Sequence, residues 1–183
     1  MKVEDTEIEG VKLVTPRRFE DDRGFFSEVY NSKVFADAGL ELAFVQDNHS
    51  LSLEAGTVRG LHFQTPPFAQ DKLVRVVRGA ILDVAVDLRR GSKTFGRHVR
   101  AELSSRNWRQ MFVPKGFAHG FVTLEPDTEV LYKVTNLYSP AHDAGLAFDD
   151  PELGIDWGID PAQAILSPKD RLHPRLAQLL LAF

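Results

Sequence analysis

His62 lies between Arg59 and Lys72, in the stretches Val58-Arg59-Gly60-Leu61-His62-Phe63-Gln64 and Lys72-Leu73-Val74-Arg75. An imidazole, with an unperturbed pKa of about 6.5, suits proton abstraction near neutrality, and an ammonium beside it can hold the oxyanion that develops. Tyr132, in Leu131-Tyr132-Lys133, is a phenol able to return a proton from elsewhere in the pocket. Asp170, in Ser167-Pro168-Lys169-Asp170, could fix the imidazole tautomer, although spacing alone reads it as a turn or helix cap. A lone histidine is more often structural than catalytic. The company of a cation and a phenol is what raises His62 to a candidate base.

Metal chemistry is the other reading that six histidines invite. Pro114-Lys115-Gly116-Phe117-Ala118-His119 has the P-x-G-x-x-H form of the second half of the cupin signature. The first half should supply two histidines one residue apart and then a glutamate. Here Gln64 takes the second ligand position, and no Glu occurs between Glu54 and Glu102. A first-row metal takes about three to four protein ligands. The chain therefore resembles a cupin without its metal set, and no metal is expected in the chemistry. The absence of cysteine excludes disulfides, thiolate ligands and cysteine nucleophiles.

The elements that must position these groups read as strands. Leu73–Arg78, Ile81–Leu88 and His98–Leu103 mix apolar and polar residues at short period and are rich in β-branched side chains. Phe25–Tyr30, Phe44–Leu53, Arg109–Val113, Phe117–Leu124 and Val130–Tyr138 are further candidates. Turn signals part them at Arg78-Gly79, Arg90-Gly91-Ser92, Pro114-Lys115-Gly116 and Glu125-Pro126-Asp127. With the cupin half-signature, this predicts an all-β fold, a cupin-like double-stranded β-helix or jelly-roll barrel whose interior 13 phenylalanines can fill. Helix is scarce: Asn31–Ala38, with Asn31 as N-cap and Gly39 as stop, and Leu176–Leu181, begun by Pro174. No repeat or linker interrupts the chain, so residues 1–183 read as one domain.

Composition excludes several classes of function. At 183 residues and 43% hydrophobic, the chain can bury a sizeable core. A net charge of −4 argues against a nucleic-acid-binding or membrane-coating protein. No apolar run approaches the roughly 18 residues of a membrane span, and the start MKVEDTEIEG lacks the apolar stretch of a signal peptide. A soluble, cytoplasmic protein is expected. Its charge is uneven: Arg59 to Lys115 holds twelve Lys and Arg against four Asp and Glu. A basic centre in an acidic chain fits a pocket for an anionic small molecule.

From Val11 to Asp170 the chain resembles the dTDP-4-dehydrorhamnose 3,5-epimerase family, whose members act on nucleotide-linked 4-keto-6-deoxy sugars. The resemblance rests on ordered segments: Phe19-Glu20-Asp21-Asp22-Arg23-Gly24-Phe25-Phe26-Ser27-Glu28, Phe44-Val45-Gln46-Asp47-Asn48-His49-Ser50, the His62 and Lys72 stretches, Asp83-Val84-Ala85-Val86-Asp87, Pro114 to Phe121, Leu131-Tyr132-Lys133, Tyr138-Ser139-Pro140 and Leu166 to Asp170. It implies a cofactor-independent epimerase. His62, supported by Asp170, would match the general base; Lys72 would hold the C4 oxygen as it becomes an enolate; Tyr132 would match the acid on the opposite face. Tyr138 would stack on the thymine, and Arg23, Glu28, Gln46, Asp47, Asn48, Arg59, His119 and Lys169 would contact sugar, diphosphate or nucleoside. A homodimer is implied, with Arg23 and Glu28 reaching the neighbouring subunit's site through an exchanged N-terminal strand.

The chain departs from the family pattern in places. Asp143 stands where Glu is common, Phe148 where Trp is usual, Gly158 where Pro follows Trp157, and Asp71 where Gly precedes Lys72. These positions lie around the sugar and base end of the implied site. They bear on which nucleotide sugar is bound and on whether one carbon or two invert. A mono-epimerase acting at C3 or C5 alone, and a catalytically silent nucleotide-sugar-binding cupin, are the alternatives.

Overall fold

The computed structural model describes residues 1–179 and 183. Among the described residues are thirteen strands: β1 Lys2–Asp5, β2 Lys12–Thr15, β3 Arg18–Asp21, β4 Gly24–Ser27, β5 Gln46–Ser52, β6 Val58–Gln64, β7 Lys72–Arg78, β8 Ala80–Asp87, β9 His98–Ser104, β10 Gln110–Val113, β11 Phe117–Thr123, β12 Thr128–Val134 and β13 Asp143–Gly145. One sheet runs β1-β2-β10-β7-β12-β5 and a second β13-β6-β11-β8-β9, while β3 and β4 form a separate hairpin. Every strand pair is antiparallel, and the two large sheets face each other as a jelly-roll, as the periodicity predicts. The strand periodicity did not delimit β1, β2, β3, β6 or β13. All but β6 are three or four residues long, and the charged run Lys2-Val3-Glu4-Asp5 carries little period-2 signal; β6 is seven residues long, with Gly60 breaking its alternation.

Apolar clusters fill three layers. Between the sheets lie Val74, Val76, Ile81, Ala85, Val99, Met111, Phe117 and Val130. The outer face of the second sheet is covered by residues 146–179, where Trp157, Leu153 and Phe148 pack on Val84, Val86 and Leu61. Burial on both faces explains why β8 reads as an almost continuous apolar run. Helix α1, Ser32–Asp37, seals the outer face of the first sheet by laying Phe35 against Val14, Leu73 and Phe112. Asn31 caps it as expected, its side chain accepting from the Val34 N–H at 3.2 Å. Gly39 ends it at φ +79°, a conformation that favours glycine.

The expected C-terminal helix Leu176–Leu181 is corrected. The segment makes one 3-10 turn, Leu176–Gln178, and leaves it extended at Leu179, while Leu180 and Leu181 lie outside the described residues. Tertiary partners hold the segment instead. The Leu176 N–H donates to the Asp150 carboxylate at 2.6 Å, and the Pro174 carbonyl accepts from the Ala147 N–H at 2.8 Å.

Candidate active site

A β-bulge in β6 aims the first residues of the site. His62 pairs with His119 on β11, yet Arg59 pairs with Phe121, so three steps on β6 oppose two on β11. The extra residue shifts the alternation, turning both Arg59 and His62 into the barrel while Val58, Leu61 and Phe63 join the outer core. Gly60 makes this possible. It adopts φ +128°, and a Cβ there would lie 2.6 Å from the Gly120 Cα on the adjoining strand.

His62 Nε2 lies 2.7 Å from Asp170 Oδ1. Asp170 opens a 3-10 turn, Asp170–Leu172, and its own N–H donates to Ser167 Oγ at 3.1 Å. The turn reading and the dyad reading of Asp170 therefore both hold. Burial pushes the Asp170 carboxyl upward, but bonds from His62 and Ser167 and the His62 charge outweigh it and hold the acid ionised below its ordinary range. With Nε2 engaged, Nδ1 is the ring nitrogen left to act on a substrate.

Lys72 and Tyr132 come from the opposite sheet, on β7 and β12. With His62 they line two adjoining cavities of about 260 and 240 Å³. The Lys72 ammonium is buried and donates to the His62 carbonyl at 3.3 Å. Burial lowers its pKa to about 8 against the pull of Asp83 and Asp143. Burial also raises the Tyr132 phenol, partly offset by Arg59, so the group stays protonated and able to donate.

Gln46, Asn48, Tyr138 and Asp143 line the first cavity; Arg59, His119 and Lys169 line the second. Gln46 donates to Asn48 at 2.8 Å, and its oxygen accepts from the Tyr138 N–H at 3.0 Å. Arg59 is held by Ser52 Oγ and the Leu51 carbonyl, each at 3.0 Å. Tyr138 donates to Asp143 at 2.8 Å, and Lys169 binds the same carboxylate oxygen. Burial pushes Asp143 up, but these two donors outweigh it and hold its pKa below the usual value.

Three expected residues are not brought to the cavities. Asp47 sits between Gln46 and Asn48 on β5, so alternation turns it to the outer face, where it pairs with Lys133 at 2.8 Å. Arg23 is on the exposed β3–β4 hairpin and binds Asp21 at 2.6 Å. Glu28 follows that hairpin and accepts from Asn31 at 2.9 Å.

Asp83 and His173 escaped the sequence reading as site residues, and Gln64 was read there only as a lost metal ligand. Asp83 is fully buried, with Oδ1 2.7 Å from His119 Nε2. An acid in the run Ile81-Leu82-Asp83-Val84-Ala85-Val86 was the signal that could have found it. Gln64, at the missing cupin ligand position, spends its amide on the carbonyls of Phe68 and Leu137 at 2.7 and 3.1 Å. His173 stands edge-on to His62, ring centroids 5.3 Å apart at 89°.

A model of the dTDP-4-dehydrorhamnose 3,5-epimerase family matches residues 5–178. The chain belongs to that family. It is 54% identical over 176 residues to a dTDP-4-dehydrorhamnose 3,5-epimerase of Sinorhizobium fredii, covering 96% of this chain and 90% of the relative. A crystal structure of the Bacillus anthracis dTDP-4-dehydrorhamnose 3,5-epimerase with TDP and PPi bound superposes with a TM-score of 0.93 at 54% identity, covering 96% and 99% of the two chains. The Legionella pneumophila dTDP-6-deoxy-D-glucose-3,5-epimerase, in complex with dTDP-4-keto-L-rhamnose, gives 0.93 at 42% identity over 97% and 94%. Family membership makes the protein an isomerase of the cupin-like epimerase fold.

Proposed function

We propose that the protein inverts C3 and C5 of a dTDP-4-keto-6-deoxyhexose, converting dTDP-4-dehydro-6-deoxyglucose to dTDP-4-dehydrorhamnose. The observation that carries the reading is the reach of His62 and Tyr132 into shared cavities from different sheets, with the Lys72 ammonium beside them. A proton on carbon becomes removable only when its charge can spread onto the adjacent carbonyl oxygen. His62 Nδ1 takes the proton, the Asp170 carboxylate steadies the imidazolium, and Lys72 holds the enolate oxygen. Inversion then requires a proton from the other face, and Tyr132 supplies it. The same cycle at the second carbon α to the C4 ketone completes the reaction. Arg59, His119 and Lys169 provide positive and hydrogen-bonding groups for the diphosphate end.

The reading extends to a homodimer. The β3–β4 hairpin carries Phe19, Phe25 and Phe26, which are 50, 49 and 69% exposed. Apolar exposure on a hairpin outside both large sheets favours docking on a second copy, which would carry Arg23 and Glu28 to that copy's site.

Incubation with dTDP-4-keto-6-deoxyglucose in D2O, followed by NMR, tests the chemistry. Deuterium is expected at both C3 and C5. Deuterium at one carbon would select a mono-epimerase, and binding without deuterium at either would leave only the silent cupin.

A further inference from the structure

The segment that delivers Asp170 also delivers a second imidazole to His62, and the mechanism above has no use for it. The ring of His173 lies flat on Gly145: a Cβ at that position would sit 2.2 to 2.4 Å from three of its ring atoms. Gly145 is the residue of β13 paired with His62 on β6, so the glycine seats His173 directly beside the base. Both nitrogens of His173 are shielded from solvent and have no hydrogen-bond partner among the described residues. Shielded polar atoms are nearly always paired with protein, water or an ion, so two orphans on one ring point to a partner from outside the chain.

We propose that His62, Asp170 and His173 form a site for a divalent transition ion of the Zn2+ class, and that filling it disables the base. One donor atom from each residue lies within 4.8 Å of the other two, and the His62–Asp170 pair is already at 2.7 Å. Coordination at about 2.0–2.2 Å draws donors to roughly 3.3 Å apart, which side-chain shifts of about 1 Å achieve here. Two imidazoles and one carboxylate form a donor set that suits Zn2+, Co2+, Ni2+ or Cu2+ and leaves coordination positions open. With one carboxylate alone, the site discriminates against Mg2+ and Ca2+, which prefer oxygen ligands. Two cations border it: Lys169 is tied to Asp143, and Lys72 is directed at the His62 carbonyl.

Inhibition follows from the valence of imidazole and rests on the epimerase reading above. Neutral imidazole has one nitrogen with a free lone pair. An ion on Nε2 takes the place of the proton shared with Asp170, and the ring's single proton is then carried on Nδ1, which cannot accept another from carbon.

The test uses full-length protein without a polyhistidine tag. Calorimetry with ZnCl2, and the visible spectrum with CoCl2, are expected to show one ion per chain, with MgCl2 giving no signal. His173→Ala should weaken Zn2+ binding at least about tenfold. In the wild-type protein, Zn2+ should shift the ring nitrogens of His62 and His173 in histidine-labelled NMR spectra and leave those of His49 and His98 in place. That measurement stands even if the variant misfolds. Zn2+ should also stop deuterium exchange in the wild type, reversibly with EDTA, and need about tenfold more ion in His173→Ala. Binding with no dependence on His173, or Zn2+ shifts that spare its ring, overturns the site. Binding with that dependence, alongside no exchange in the ion-free protein, upholds the site and overturns the epimerase reading instead.

Discussion

His62 and Asp170 are 108 positions apart in sequence, and that separation explains what residue types alone could and could not reveal. The imidazole, ammonium and phenol were legible because each is an unusual type in an otherwise strand-like stretch. The tie to Asp170 was not, since spacing marks it only as a turn residue. The His119–Asp83 pair and the seat of His173 on Gly145 are contacts between strands and loops, invisible before folding. At this scale His62→Asn is expected to abolish solvent exchange at both carbons, measured by NMR in D2O. Tyr132→Phe should retain substantial exchange while net inversion collapses, because the base and enolate survive and only the opposing acid is lost. Lys72→Met should cost on the order of 10²–10³ in kcat. The same change should stabilise the fold. Burial holds Lys72 near pKa 8 rather than 10.5, so the charged form is disfavoured by about 3 kcal/mol below pH 8. Because the folded pKa lies below the unfolded one, this penalty acts below the folded pKa and fades as pH rises from about 8 towards 10.5. Thermal melts at pH 7 should therefore place the methionine variant above wild type. The activity of the wild type should fall as pH rises through about 8, where the ammonium is lost.

Strand periodicity revealed most elements of the two large sheets but not the irregularity in β6 that makes the site. A regular strand would turn Arg59 and His62, three apart, to opposite faces. The bulge puts both inside, and no period-2 pattern announces it except the glycine at its centre. Alternation does hold on β5, and that is why Gln46 and Asn48 enter the cavity and Asp47 does not. Gly60→Ala should destabilise the protein by roughly 3 kcal/mol, through a close approach to Gly120 and a strained positive φ. Urea unfolding should show a lower midpoint at unchanged slope.

At the scale of the whole molecule, strand periodicity and turn spacing led to the barrel, while the dimer rests on the resemblance and on the exposed hairpin. If Arg23 serves the neighbouring site, Arg23→Ala and His62→Asn should complement each other. Each alone should be inactive or nearly so. Unfolded and refolded together in equal amounts, they should recover about a quarter of wild-type turnover, since half of the random dimers hold one intact site. No recovery would place Arg23 in its own subunit's site or outside the chemistry. The division of the proposed base and acid between two facing sheets has a further consequence. Their separation is governed by the girth of the side chains sandwiched between the layers, among them Val74, Ile81, Met111 and Phe117. Those residues act as the jaws of a calliper: thickening or thinning that filling would alter the gauge between imidazole and phenol, and so which ring carbon is reached, without altering any residue in touch with sugar.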